Sequence, residues 1–293
     1  MSVKCFETLH LDLLVRQPSA PIDLSDMVEE TIVSDKSAET FKPRFPSLKA
    51  RLRAAGIHVS ISVAIFLVFL SLILTKWYPP PYFLTDGGWQ GIRIMLFVDI
   101  VLGPVMTLLI FNPAKTRRAI LFDLSMIALV QSAALVWGVY AVYSQHPAAI
   151  VHWENRLISV TKEQLWEKDI DAGTLRKFSD EHPPIIVAQY PKTTEGKKAL
   201  LRRANQGFAP ILQQEIYRSP EEDLDAFFEF HLDAKKVVAE NPGVQEELDI
   251  LLQDTGLALD DLRLMYFKGR YKDSILVFRQ DGAVLGALHN IQN

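Results

Sequence analysis

Three long apolar stretches lie between residues 54 and 145 of this 293-residue chain, and they constrain its fold more than any other feature. The hydrocarbon core of a bilayer is about 30 Å thick, a distance that about 20 residues of α-helix cross. Between Arg53 and Lys76 the sequence contains no Asp, Glu, Lys or Arg. We therefore predict three transmembrane helices, over about residues 55–75, 93–112 and 120–143.

Polar sequence flanks the apolar stretches on both sides, which explains why the mean hydropathy of the whole chain is only +0.11. Residues 1–48 show weak periodicity and are predicted to be a disordered cytoplasmic extension, with an over-long gene start as the alternative for residues 1–47. Residues 49–145 are predicted to form a three-helix membrane domain. Residues 146–293 have the size and pattern of a globular α+β domain.

Lys and Arg near the ends of the apolar stretches predict the orientation of the chain. One cluster precedes the first stretch and another fills the short loop between the second and third: Lys49, Arg51, Arg53, Lys115, Arg117 and Arg118. Because cytoplasmic loops carry an excess of Lys and Arg, we expect the N-terminus and this loop in the cytoplasm and the α+β domain on the outer side. Thr75 and Lys76 follow the first stretch in place of a small-residue cleavage site, which predicts a retained signal anchor.

The segment after residue 146 alternates between strand and helix patterns. Apolar and β-branched residues predict strands over 149–153, 157–161 and 185–188, and an antiparallel meander over 264–267, 274–278 and 283–288. A helical pattern covers 162–180. Ser219 followed by Pro220 has the composition of a helix start, and the predicted helix reaches about Ala239.

Composition and motifs argue against several functional classes. A net charge of −4 provides no cationic field for nucleic acid, so no nucleic-acid partner is expected. The one cysteine, Cys5, forms neither an internal disulfide nor a Cys-rich zinc site. No H-E-x-x-H, G-x-S-x-G or P-loop motif occurs, and the seven histidines are dispersed. We expect a protein without catalytic activity, cofactor or metal.

Asp99 is the most conspicuous polar residue inside a predicted span. An acid at the centre of a transmembrane helix costs about 2.5–3.5 kcal/mol on insertion scales. Its predicted position, close to the outer end of the second span, permits an interfacial acid that reaches towards Arg93 or water. The alternatives are a polar contact within the helical bundle and a contact with a cationic group of a client helix.

Four further residues are structural or partner-contact candidates. Gly103 and Pro104 predict a kink, with Thr107 satisfying a freed carbonyl; the kink either shapes the bundle or opens a lateral groove for a client helix. Gln131, near the middle of the third span, is expected to hydrogen-bond another helix, worth about 0.6–2 kcal/mol. Asp123 is expected in an interfacial ion pair close to Arg117 and Arg118.

Two further predictions concern the same spans. His58 is expected at the cytoplasmic end of the first span, as an interfacial residue and not a ligand. Asp99, Gln131 and Asp123 are predicted at scattered depths, which argues against a proton relay through them.

The membrane part also carries a series of short motifs. They read Ala54-Ala55-Gly56-Ile57-His58, Trp77-Tyr78-Pro79, Asp86-Gly87-Gly88-Trp89, Val98-Asp99-Ile100-Val101-Leu102-Gly103-Pro104 and Phe111-Asn112-Pro113-Ala114-Lys115. This pattern, over about residues 48–165, resembles the TfpX/TfpZ family of type IV pilin accessory proteins. The resemblance implies a multi-pass protein of the bacterial inner membrane with a periplasmic C-terminal domain. It also implies the pilin, and with it the pilus assembly machinery, as partners besides the lipid bilayer.

The leading hypothesis is therefore a non-catalytic inner-membrane protein that promotes assembly, stability or display of a type IV pilin. The polar segment 1–48 supports a different alternative, a membrane-anchored periplasmic sensor or scaffold unrelated to pili. A transporter subunit is the third hypothesis, and it depends on Asp99.

Overall fold

The structure is a computed structural model that describes residues 48–291, and these belong to one compact unit. The predictions for residues 1–47, namely the cytoplasmic extension, the over-long gene start and the location of Cys5, lie outside the described residues. Three helices in the described chain are long and apolar enough to cross a membrane: Leu48–Trp77, Gly88–Ile110 and Arg117–Gln145.

Each of these three apolar helices is longer than its predicted apolar stretch. The first consists of α1 (Leu48–Leu72) and a π-helical turn (Ile73–Trp77). After the short helix α2 (Tyr82–Thr85), the second consists of α3 (Gly88–Leu96), a π-helical turn (Phe97–Leu102) and α4 (Gly103–Ile110). The third is α5 (Arg117–Gln145). The third helix extends back to Arg117 because Thr116 caps it: the Thr116 hydroxyl accepts a hydrogen bond from the Ala119 N–H at 3.4 Å.

Residues 146–291, which we call the C-terminal domain, combine a mixed β-sheet with short helices. The strands are β1 (Pro147–Trp153), β2 (Arg156–Thr161), β3 (Ile185–Ala188), β4 (Tyr217–Arg218), β5 (Leu262–Lys268), β6 (Ser274–Arg279) and β7 (Val284–Leu288). The α-helices are α6 (Lys162–Trp166), α7 (Thr194–Asn205), α8 (Leu224–Phe227), α9 (Ala234–Glu240) and α10 (Gln245–Thr255). The sheet order is β4-β3-β1-β2-β5-β6-β7. The α+β architecture is confirmed.

Two inner pairs of this sheet are parallel and join segments that are distant in sequence. β1 pairs with β3, and β2 pairs with β5, while the other neighbours are antiparallel. The predicted strand 185–188 and the final meander β5-β6-β7 are confirmed. The C-terminal meander is thereby attached to the first hairpin of the domain.

The predicted helix start is confirmed, since Ser219 caps a 3₁₀ turn at Pro220–Glu222. The predicted continuation to Ala239 is wrong, because two further helices start at aspartate caps. Asp223 Oδ1 accepts a hydrogen bond from the Ala226 N–H at 3.0 Å, and Asp233 Oδ1 accepts one from the Lys235 N–H at 2.8 Å. These caps begin α8 and α9, and between them the Leu232 N–H donates to the Leu264 carbonyl at 2.7 Å. A polar residue that caps a helix start competes with the continuous helix.

The helical pattern over 162–180 is likewise interrupted. α6 ends at Trp166 and a 3₁₀ helix follows at Ala172–Phe178. Asp169 adopts a positive φ of 54° between them, and the Asp171 carboxylate accepts a hydrogen bond from the Gly173 N–H at 2.9 Å. The segment therefore folds as two short helices separated by a turn.

The loop between the first and second apolar helices is part of the core of the C-terminal domain. Tyr82 is buried in one hydrophobic cluster with Ile150 and Phe267, and its ring meets the Phe267 ring edge-to-face at 5.7 Å. The Thr85 carbonyl accepts hydrogen bonds from the backbone N–H groups of Tyr271 at 2.8 Å and Lys272 at 3.2 Å. The helices and the domain are thus joined by shared packing in addition to the chain connection at residue 146.

Candidate functional site in the helical bundle

A cavity of about 440 Å³ lies between the first and third apolar helices, with the second helix contributing two further lining residues. Its apolar lining includes Ile57, Ile61, Ile127 and Leu135. Its polar lining comes from all three helices: His58, Ser62, Asp99, Thr107, Gln131 and Ser132. Such a concentration of polar groups within an apolar bundle makes this cavity the candidate functional site.

Asp99 is buried at the middle of the second apolar helix. It is the twelfth residue of the 23-residue helix Gly88–Ile110, and only 7% of it is exposed. Within residues 48–291 its carboxylate has no hydrogen-bond partner, and His58 is the ionisable group that interacts with it electrostatically. The helix starts at Gly88 and not at the predicted residue 93, so Asp99 is at its middle and not near its end. The side chain of Asp99 lines the cavity.

His58 and Thr107 connect the first helix to the second. His58 Nδ1 and Thr107 Oγ1 lie 2.6 Å apart and share a hydrogen bond. The Thr107 hydroxyl therefore bonds to His58. The prediction that it satisfies a backbone carbonyl freed by Pro104 is wrong. His58 lines the cavity inside the bundle together with Asp99. The predicted interfacial position of His58 at the end of the first helix is therefore wrong.

Gly103 lies where the second helix is close to polar side chains of the first and third helices. A Cβ atom added at Gly103 would lie 1.8 Å from Gln131 Nε2 and 3.1 Å from His58 Nε2. Glycine at this position therefore leaves the space that the Gln131 amide occupies. The predicted hydrogen bond from Gln131 to another helix is not formed within residues 48–291.

Pro104 lies in the first turn of α4, directly after the π-helical turn Phe97–Leu102. Proline is tolerated there, because the change from π to α geometry already removes regular hydrogen bonding around it. The π-helical turn also contains Asp99. The irregular backbone at the centre of the second helix thus coincides with the polar residues that line the cavity.

Asp123 lies outside the cavity, near the loop between the second and third helices. Its carboxylate forms an ion pair with Lys115 Nζ at 2.5 Å, and both side chains are partly exposed. An ion pair is present as predicted, but its partner is Lys115 and not Arg117 or Arg118. Such exposed pairs contribute about 0–1 kcal/mol.

Four polar lining residues were not among the candidates from sequence: His58, Ser62, Thr107 and Ser132. A usable signal exists, because His58 and Ser62 are four residues apart and face the same side of one helix. Gly103 and Gln131 were candidates, but their contact joins two helices and leaves no trace in local spacing.

The Asp86-Gly87 pair anchors the loop between the first and second helices to the C-terminal domain. Asp86 is buried and its Oδ2 accepts a hydrogen bond from Thr85 Oγ1 at 2.6 Å. Burial raises the pKa of Asp86, and the hydrogen bond from Thr85 and the nearby Arg270 partly offset this effect. Gly87 has a φ of +104°, and an added Cβ would lie 2.5 Å from the Tyr271 ring. This motif is therefore a packing element and not a free outer surface.

The described residues provide no metal-binding cluster. Within residues 48–291, no group of three or more His, Cys, Asp or Glu is placed to hold a metal ion. The cavity has one acid and one histidine, so its chemistry is that of hydrogen bonding and charge within an apolar bundle.

Comparisons with known proteins identify relatives of this chain. A family model described as "Fimbrial assembly protein FimB" matches residues 46–87. The fimbrial assembly protein of serogroup I from Dichelobacter nodosus is 24% identical over 216 residues, which cover 71% of this chain and 82% of the relative. No solved structure matches the chain.

Two further relatives come from the same organism. The fimbrial assembly protein of serogroup E1 is 26% identical over 158 residues, 53% of this chain and 62% of the relative. The fimbrial assembly protein of serogroups C1 and C2 is 30% identical over 99 residues, 34% of this chain and 76% of the relative.

Proposed function

This chain belongs to the fimbrial assembly protein family, and from that premise we propose that it is a non-catalytic accessory protein for assembly, stability or display of a type IV pilin. The relatives are named for fimbrial assembly. The finer assignment to TfpX/TfpZ proteins is part of the proposal, and the motifs between Ala54 and Lys115 support it.

We also propose that the chain spans the bacterial inner membrane three times, with its N-terminus in the cytoplasm and its C-terminal domain in the periplasm. The lengths and apolar surfaces of the three helices support the embedding. The Lys and Arg clusters at 49–53 and 115–118 support the orientation. In this arrangement residues 49–145 form the membrane domain and residues 146–293 the periplasmic domain, with Tyr82 and its loop packed into the latter.

The cavity is the proposed contact site for a membrane-embedded helix of the client. The observation that carries this role is Asp99, a central acid that is buried in the cavity wall without a hydrogen-bond partner in the described chain. A buried polar group without a partner is costly, so a donor on a client helix would stabilise the complex. This contact would be shaped by Gly103, Pro104 and Gln131. Asp123, through its ion pair with Lys115, would instead stabilise the loop between the second and third helices.

A deletion strain tests the function. Removal of the gene should reduce surface piliation, and plasmid-borne wild-type protein should restore it. Unchanged surface piliation and pilin processing in the deletion strain would contradict the proposal.

A pair of matched variants tests the cavity. Ala128→Trp places a large ring in the cavity, whereas Ala133→Trp adds the same ring to an exposed position on the same helix that does not line it. We expect piliation to fall with Ala128→Trp only, at equal protein levels in the membrane. Equal piliation by both variants would show that the cavity is not the contact site.

A further inference from the structure

A cleft of about 510 Å³ lies where the C-terminal domain meets the ends of the apolar helices. Its ionisable lining consists of two cations, Lys162 and Arg176, two histidines, His146 and His182, and one acid, Asp171. His146 directly follows the last residue of the third apolar helix. His182 is joined to the end of the first helix, because its Nε2–H donates a hydrogen bond to the Lys76 carbonyl oxygen at 2.8 Å.

The position of the cleft corresponds to the headgroup layer of a membrane around these helices. The third apolar helix has 29 residues. At about 1.5 Å per residue it is ~43 Å long, more than the ~30 Å hydrocarbon core, so its end reaches the headgroups. Aromatic rings of the type enriched at that level surround the helix end: Trp77 lies 5.4 Å from Tyr143, and Tyr143 lies 5.7 Å from Trp166.

The two cations of the cleft have no acidic partner in the described chain. Within residues 48–291, neither Lys162 nor Arg176 forms an ion pair. Lys162 Nζ lies 6.0 Å from the Tyr143 ring centre and 5.7 Å from the Trp166 ring centre, contacts that orient the ammonium group without using its hydrogen-bond donors. The Asp171 carboxylate is already used as the acceptor for the Gly173 N–H.

An adjoining cleft of about 420 Å³ shares Arg176 and His182 but has a different charge. It adds Lys76 together with two acids, Asp180 and Glu181. The acids disfavour an anion in that half, so the Lys162 side of Arg176 is the more favourable place for a negative group. Burial is the main cause that lowers the pKa of His146; a hydrogen bond with the Tyr143 carbonyl opposes it, and the nearby Lys162 and His182 add to it.

We propose that the cleft between Lys162 and Arg176 binds the phosphate group of a phospholipid headgroup. Arg176 and Lys162 supply the charge-assisted hydrogen bonds that a phosphate ester accepts. A lipid is the source because the cleft lies at headgroup depth, beside the ends of the first and third apolar helices. This inference rests on the proposed membrane embedding and is independent of the role in pilus assembly.

The test uses the full chain, purified in detergent and delipidated, and follows its thermal unfolding with added lipid. Short-chain phosphatidylglycerol should raise the unfolding temperature in a saturable way. The variant Lys162→Gln/Arg176→Gln should weaken the apparent affinity at least tenfold, while Lys162→Arg/Arg176→Lys retains most of it. Lys198→Gln/Arg202→Gln removes the same charge from the exposed face of α7 and should bind like the wild type.

Each contrary result overturns a defined part of the proposal. Wild-type affinity in the Gln double variant would overturn the site, and the single variant Arg176→Gln, at an exposed position, provides the same test if the double variant does not fold. An equal response to inorganic phosphate would overturn the lipid as source. An equal response to short-chain diacylglycerol would overturn phosphate recognition. None of these outcomes depends on piliation.

Discussion

The three apolar helices and the C-terminal domain differ in how many of their large apolar side chains they leave exposed. In the helices Asp99 and Thr107 are buried, whereas Leu129 and Phe122 are 64% and 67% exposed. In the domain the largest buried side chains are aromatic and aliphatic, and Phe278 is 0% exposed. Water drives apolar groups together in the domain. Lipid would supply no such force between the helices, which contact one another through an apolar cluster around Met95 and through the hydrogen bond between His58 and Thr107.

The loop from Tyr78 to Gly87 lies between these two regions and follows the rules of the domain. Tyr78 is buried and its hydroxyl donates to the Val142 carbonyl at 2.9 Å. Tyr82 and Asp86 are buried as well. The packing of this loop therefore helps to fix the domain on its helices.

The largest expected effect contrasts one phenylalanine from each region. Phe278→Ala should destabilise the chain by about 3–5 kcal/mol, because the ring is fully buried and meets Phe227 at 5.6 Å. Phe122→Ala, at an exposed position of the third helix, should change stability by about 0.5 kcal/mol or less. Denaturant unfolding of the detergent-solubilised chain measures both. Similar losses would show that Phe122 is covered by another part of the protein.

The second prediction compares the same substitution, leucine to lysine, at an exposed position of an apolar helix and at an exposed position of the C-terminal domain. Leu129 and Leu201 are 64% and 60% exposed. Leu129→Lys should disfavour insertion of the third helix by about 2.5–3.5 kcal/mol, because the ammonium would enter hydrocarbon. Leu201→Lys, on α7, should change stability by about 0.5 kcal/mol or less, because its surroundings are water. Insertion assays and unfolding of the purified chain provide the measurements; unimpaired insertion with Leu129→Lys would contradict a lipid-facing helix surface.

The third prediction concerns pH and the domain core. Burial lowers the pKa of His152 to about 4, and its ring packs edge-to-face on Phe227. The unfolded chain binds this proton below about pH 6.5, so the free energy of unfolding should fall by up to about 3 kcal/mol between pH 6.5 and 4. Burial also lowers the pKa values of His146 and His289, which adds to the same trend.

The variant His152→Gln should remove the largest part of this pH dependence. His231→Gln, at an exposed position, serves as the control and should retain the wild-type profile. Unfolding temperatures measured between pH 4 and 7.5 compare the two slopes. The same slope in His152→Gln and wild type would assign the effect to other groups.

The smallest effect tests the join between the two regions. Gly87→Ala should cost about 1–2 kcal/mol through its positive φ alone, with an added cost for displacing the Tyr271 ring. Gly256→Ala is the matched control, since its φ is +68° but the space around it is open. Unfolding of the full chain should show the larger loss at Gly87, and Tyr271→Ala should reduce that difference. Equal losses would mean that the Tyr271 contact adds nothing.

The pattern of apolar residues predicted helices and strands well in segments where no capping residue competed with that pattern. The aliphatic stretches predicted three apolar helices, and the run at 185–188 corresponds to β3. Prediction failed over 219–239, where caps at Asp223 and Asp233 competed with a helical pattern. The outcome there depends on the bridge from Leu232 to Leu264, a contact between distant segments that no local window contains.

The sequence by itself determined that three helices suited to a membrane precede an α+β domain, because hydropathy and periodicity are local properties of the chain. Only the tertiary structure decided that β2 pairs with β5, and that Tyr82 enters the domain core. It also decided that His58, Asp99 and Gln131 line one cavity. These arrangements depend on side chains that are tens of residues apart and meet only when the helices pack, so their relation is a property of the folded chain.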